Sequence, residues 1–162
     1  MIRDFSVAAV LYVTAPLHAA MACETLLTVT GADGEQTYDR DELMAMEATE
    51  FTTTTPWTDG PQTFRGVPLA DLLADAGIEE GTVRATALNE YAGSLDVADV
   101  QQDAAGNGPV IAYLMNGAEM SVRDKGPLWL VWPYNAPGYS TESIFSSSVW
   151  QLESIRQMPP QD

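Results

Sequence analysis

Ser146, Ser147 and Ser148 form a run of potential nucleophiles near the end of the chain. A serine attacks only when a neighbouring base takes its proton. The chain has one histidine, His18, and one cysteine, Cys23. A cut after Ala22 would leave a mature chain with no histidine and at most a terminal cysteine. Ser-His and Cys-His pairs are then excluded, and the three serines read as turn residues. One cysteine allows no intramolecular disulfide. A structural or catalytic zinc site needs Cys or His ligands, which are missing.

The leader that removes His18 is read from MIRDFSVAAVLYVTAPLHAAMACE. Arg3 and the free amine open it. Phe5 to Leu17 is an apolar run, shorter than the roughly 20 residues that span a bilayer. Ala20-Met21-Ala22 is an A-x-A cleavage site, so residues 1–22 are expected to be a signal peptide and 23–162 a single domain. Once the leader is removed, nothing is expected to insert into the membrane. Cys23 stands where a lipoprotein signal places its cysteine. Ala20 stands where such signals carry Leu, which makes lipidation the minor alternative. There is no twin-arginine pair, so export is expected through the general route, which threads unfolded chains to the periplasm.

The 162 residues suffice for one domain with a proper core. Hydrophobic content of 46% and aromatic content of 9% are globular values. Seven Lys and Arg against 23 Asp and Glu give a net charge of −16. A polyanion repels nucleic acid and anionic membrane, and neither is expected as a partner. The charge reads as a solvated acidic surface suited to salty surroundings, or as an acidic docking face.

Local patterning predicts short strands and short helices. TLLTVTG (25–31) alternates as a strand. Asp39 caps a short helix in YDRDELMAM (38–46). PLADLLADAG (68–77) is the best helix, with Leu69, Leu72, Leu73 and Ala76 on one face and Gly77 ending it. TVRATAL (82–88) is a strand and VADVQQ (97–102) a short helix. PVIAYLMNGAEM (109–120) is a strand running into a turn at Asn116-Gly117. PLWLVWPY (127–134) is apolar on both faces, which predicts a central strand with Leu128, Leu130 and Trp132 on one side and Trp129 and Val131 on the other. SVWQLESI (148–155) is predicted as one closing strand. Runs of strands with a few helices indicate the α+β class.

Five segments carry a more specific signal: FRGVPLADLL, ALNEY, YLMNGAEM, RDKGPLWLVWPY and SVWQLESI. In this order and spacing, across about residues 47 to 156, the chain resembles the sulfite-oxidase-type molybdopterin-binding domain. The resemblance implies that fold, with mixed β-sheets and short helices. It also implies a cysteine ligand to molybdenum shortly before the G-x-P-L helix start. Counting back from Gly66, that place falls in Thr52 to Thr55, and a threonine hydroxyl is no soft anionic ligand. Where enzymes of the family often carry S-V-K-W-L, with the lysine near the cofactor, this chain has Ser148-Val149-Trp150-Gln151-Leu152. Such enzymes take up their metal cofactor in the cytoplasm and leave it folded, whereas this leader implies export unfolded.

The departures resemble a short, stand-alone branch of the family: periplasmic pterin-binding proteins without the metal ligand. That resemblance implies a metal-free, non-catalytic sensor or adaptor that binds a reduced or molybdopterin-like pterin. It would signal to the periplasmic region of a membrane enzyme that makes and degrades cyclic di-GMP. Two readings compete with it: a molybdopterin-dependent oxidoreductase with an unusual metal ligand, and a ligand-free interaction domain whose pocket is filled by side chains.

A pterin is flat, with an aminopyrimidinone edge that donates and accepts hydrogen bonds. It calls for a stacking wall, a carboxylate for its N–H groups and a donor for its carbonyl. The matched segments supply Glu90 and Tyr91, which read either as site residues or as a surface turn with a structural tyrosine. Arg123 either meets a ligand carbonyl or pairs with Asp124 or Glu119. Trp132 reads as core or wall, and Tyr134 ends the same strand. Trp150 is a stacking candidate, Trp57 and Arg65 flank the threonine run, and Trp129 is assigned to the core.

Overall fold

The computed structural model describes residues 24–104 and 108–160. The expected signal peptide, His18 and Cys23 lie outside the described residues.

Among the described residues eleven strands form two sheets. In the first, β2 (Gly34–Tyr38), β1 (Leu27–Gly31), β11 (Leu152–Gln157), β5 (Thr82–Ala87) and β6 (Ala92–Asp96) lie side by side in that order. In the second the order is β10 (Val149–Trp150), β9 (Trp129–Val131), β7 (Val110–Met115), β4 (Pro61–Pro68) and β3 (Thr49–Thr54), with β8 (Ala118–Glu119) paired to β7. Pairing is antiparallel except between β1 and β11. The described residues also form four short helices: α1 (Arg40–Ala45), α2 (Leu69–Asp75), α3 (Val97–Ala104) and α4 (Glu142–Ser146). This is the α+β class expected from the sequence. No helix among the described residues is long and apolar enough to cross a membrane.

Local signals explain several elements. The Asp39 carboxylate accepts from Glu42 N at 2.8 Å, and the Glu42 carboxylate accepts from Asp39 N at 2.9 Å, a reciprocal cap that starts α1. Asn116 and Gly117 take φ of 54° and 78°, the left-handed pair that a two-residue hairpin requires. Leu69, Leu72 and Leu73 of α2 are buried in one cluster with Val29, Val83 and Ile155 of the first sheet and Phe64, Ile111 and Trp129 of the second.

Two expectations need correction. Residues 127–134 do not form one long strand: only Trp129–Val131 pair in the sheet. Beyond them the chain turns, with Tyr134 N–H donating to Trp132 O at 2.9 Å. Nor do residues 148–155 form one strand. β10 ends at Trp150, Gln151 takes a left-handed φ of 54°, and β11 begins at Leu152 in the other sheet. That single residue carries the chain between the sheets.

The threonine run is an edge strand and its continuing turn. Thr52 shares a hydrogen bond with Thr63 across the β3–β4 pair at 2.8 Å. Thr53 Oγ1, fully buried, accepts from Asn135 N at 3.1 Å. Thr54 Oγ1 donates to Asn135 Oδ1 at 2.6 Å. Thr55 Oγ1 accepts from Trp57 N at 3.1 Å and bonds the Thr58 hydroxyl at 2.8 Å.

Candidate functional site

Thr55 holds the loop 55–60 so that Trp57 reaches into a cluster of rings. The Trp57 ring centroid lies 5.1 Å from Trp150, 6.0 Å from Tyr134, 6.1 Å from Phe145 and 6.2 Å from Trp129. Trp129 is fully buried and meets Phe64 edge-on at 5.2 Å, so it is the core residue expected of it. Trp150 sits between this cluster and the surface. Its outer neighbour is Tyr91, nearly parallel at 7° with centroids 6.2 Å apart. The Tyr91 hydroxyl donates to Ser146 O at 2.8 Å and so ties the turn before β6 to α4.

Tyr91 and Trp150 form one wall rather than a slot. A ring inserted between two others needs about 7 Å, two contacts of roughly 3.5 Å each. The two planes cannot be further apart than their centroids, which leaves too little room. A flat ligand would therefore stack against one side of the wall.

The polar groups around the wall are set by backbone geometry. Glu90 takes φ of 68°, with its N–H donating to Ala87 O at 2.9 Å, while Ala87 N–H donates to Tyr91 O at 2.8 Å. This is a three-residue hairpin with its left-handed position filled by Glu90 instead of the usual glycine. The Glu90 side chain is exposed and makes no hydrogen bond or ion pair among the described residues. Lys125, itself at φ 74°, places Nζ 5.3 Å from the Trp150 ring centroid, a cation–π contact. Gln151 fastens the corner. Its N–H donates to Lys125 O at 2.9 Å, its side-chain amide donates to Val122 O at 2.7 Å, and its carbonyl accepts from Leu88 N at 3.0 Å.

Of the residues singled out in the sequence, the structure brings together Trp57, Tyr91 and Trp150, and Glu90 precedes Tyr91 in the same turn. Arg123 is exposed in the short 3-10 turn Val122–Asp124, two residues from Lys125. It makes no ion pair among the described residues, and Glu119 pairs with Arg40 instead, at 3.4 Å. Arg65 stands apart. Its neighbour Phe64 faces the rings, so by strand alternation Arg65 points to the other side of β4, in register with Glu50. Trp132 is also elsewhere. It is buried, meets Tyr139 at 5.6 Å and helps line a cleft of about 250 Å³ with Asp96, Asp99 and Asp103. Lys125, Gln151, Phe145 and Asn135 were not singled out in the sequence. Gln151 had a readable signal: Val149, Leu152 and Ile155 are spaced by three, which no regular strand can bury on one face.

Burial lifts the Tyr134 hydroxyl to about 12, against hydrogen bonds from Ser148 and the Trp132 backbone that pull the other way. Tyr38 is raised further, first by burial and then by its bond to Asp75. A tyrosine ionises near pH 10 in the unfolded chain. Stability is therefore whole below about pH 10 and is lost as pH rises from there towards 12, because only the unfolded state ionises freely. Urea midpoints measured from pH 8 to 11.5 should fall only above about pH 10, and less steeply in Tyr134→Phe. A flat profile through pH 11.5 would contradict this.

One mixed and one antiparallel sheet with short helices on one core, and a ring wall at one corner, define a sulfite-oxidase-like α+β domain. The chain belongs to the oxidoreductase molybdopterin binding domain family, whose model matches residues 15–145. The match starts upstream of the segments read in the sequence and stops before Trp150. Among solved structures, the sulfane dehydrogenase SoxCD from Paracoccus pantotrophus superposes with a TM-score of 0.61 at 20% identity, over 81% of this chain and 37% of that chain. At that identity the likeness establishes the fold alone, and this chain spans little more than a third of that one. No curated protein matches the sequence.

The family implies a pterin-type cofactor with a metal. The ring wall, the free Glu90 carboxylate and the Lys125 ammonium suit the organic part. The donor set does not suit a soft metal. Among the described residues no group of three or more His, Cys, Asp or Glu side chains is placed to hold a metal ion, and the hydroxyls of Thr52 to Thr55 are all engaged in hydrogen bonds.

Proposed function

We propose that this chain is an exported pterin-binding sensor or adaptor rather than a catalyst. The observation that carries the reading is the Tyr91–Trp150–Trp57 ring wall beside the unpartnered Glu90. A reduced pterin would stack on the wall, with its 2-amino and N3–H edge donating to Glu90. The threonine hydroxyls, engaged in holding Trp57 and Asn135, support a site without a protein–metal bond. The periplasmic location and a partner that makes and degrades cyclic di-GMP rest on the leader and the sequence resemblance.

The family match favours a second reading, a molybdopterin-dependent oxidoreductase. Two measurements on protein recovered from its native compartment separate the two. Titration with a tetrahydropterin should quench tryptophan fluorescence at micromolar concentration, since Trp150 and Trp57 lie at the wall. Elemental analysis should find molybdenum far below one per chain. Stoichiometric molybdenum would establish the second reading, and absence of any pterin binding would sink the first.

A further inference from the structure

The outer face of the first sheet carries a feature that the ring wall does not use. Strand register sets Thr30, Arg156, Arg84 and Ser94 in one row across β1, β11, β5 and β6. Thr28, Ser154 and Thr86 form the next row on the same face. Arg84 and Arg156 are exposed, while Val83, Ala85 and Ile155 beside them in sequence are buried on the other face. Directly opposed side chains stand about 5 Å apart at Cβ, and like charges in that relation oppose pairing. This chain has 23 acidic residues to draw on and only seven basic ones. Yet among the described residues neither arginine reaches a carboxylate, and the ion pair that does form is Arg40–Glu119. The strand neighbours of the pair, Thr30 and Ser94, offer hydroxyls instead, and carboxylates stand one step further off, Glu35 in register with Thr30 and Asp96 two residues past Ser94.

We propose that Arg84 and Arg156 together bind a tetrahedral dianion, a phosphate or sulfate group, with the Thr30 and Ser94 hydroxyls beside it. Each guanidinium is a planar fork with donors matched to two oxygens. A carboxylate has only two oxygens and satisfies one fork. A tetrahedral group has enough for both, and its two charges cancel the repulsion across the strands. The pair is adjacent only in the fold, because 156 − 84 = 72 positions of sequence separate its members. Both strands also lead to the ring wall, β5 into the Leu88–Tyr91 turn and β11 out of Gln151.

Thermal unfolding of the mature chain tests this with inorganic phosphate, sulfate, glycerol 3-phosphate and acetate, each against chloride at equal ionic strength. Sulfate and phosphate strengthen burial in any protein, so the reading is the difference between the wild type and Arg84→Gln or Arg156→Gln. With tens of millimolar phosphate, the wild type should gain a few degrees more than either variant. Without the dianion, each variant should be at least as stable as the wild type, because the repulsion is gone. A response to glycerol 3-phosphate equal to that with phosphate assigns the site to an esterified group, and a response to phosphate alone assigns it to the free ion. An equal gain in wild type and variants, or a gain with acetate as large as with phosphate, overturns the proposal.

Discussion

Trp150→Ala should weaken binding of a reduced pterin by about 10- to 100-fold and remove most of the fluorescence quenching. Stacking of a heterocycle on an aromatic side chain contributes about 1–3 kcal/mol by alanine substitution. Trp150 is the ring through which the wall is built: its centroid lies 6.2 Å from Tyr91, 5.1 Å from Trp57 and 6.3 Å from Trp129, and Lys125 Nζ lies 5.3 Å away. Its removal also loosens the cluster, so Tyr91→Ala serves as a second variant. Tyr91 is 43% exposed and lies outside the buried cluster, so its truncation should leave the fold intact and still weaken binding about tenfold. Arg65→Ala should leave binding unchanged, because Arg65 faces away from the rings. Isothermal titration of the three variants decides the matter. Equal affinities for wild type, Trp150→Ala and Tyr91→Ala would remove the wall from the site.

Gly66→Ala should destabilise the chain by about 3 kcal/mol or more. A Cβ at this position would stand 2.0 Å from the Ile111 carbonyl oxygen and 2.6 Å from the Ala112 Cα. Both atoms belong to the backbone of β7, which cannot yield without breaking the β4–β7 pairing at its bulge. Overpacking a core usually costs about 1–3 kcal/mol, and a clash with paired backbone lies at or beyond the upper end. The midpoint of urea unfolding measures the loss. A shift corresponding to less than about 1 kcal/mol would mean that the bulge can open. Gly93→Ala should act on the site in the same way but less severely, since its Cβ would meet Ser147 Cα at 2.9 Å and push α4 away from Tyr91.

The parts of the fold legible in the sequence are those set by neighbours in the chain. The Asp39 cap, the Asn116-Gly117 turn and the leucine face of α2 each depend on residues within a few positions. The motif set pointed to the family and contained Tyr91 and Trp150, which lie 6.2 Å apart in the fold, while Trp57 was noted beside the threonine run. Less legible were β2, β3 and β4. Their residues are largely polar, and the strands exist because neighbouring strands complete their hydrogen bonds. The 148–155 segment was read as one strand because its residue types suit strands. The spacing of Val149, Leu152 and Ile155 already contradicted that, and the left-handed Gln151 resolves it by sending each half to a different sheet.

By itself the sequence determined the class of fold, the helix cap at Asp39 and the hairpin turn. Tertiary structure alone decided the use of the threonine run, the separation of Arg65 and Trp132 from the ring wall, the arrival of Lys125 over Trp150, and the meeting of Arg84 with Arg156. The physical reason is the same in each case. Periodicity and capping report on residues within one or two turns of chain. Thr53 with Asn135, Trp57 with Trp150 and Arg84 with Arg156 meet only when the sheets pair and the core closes, and nothing in the local pattern records those partners.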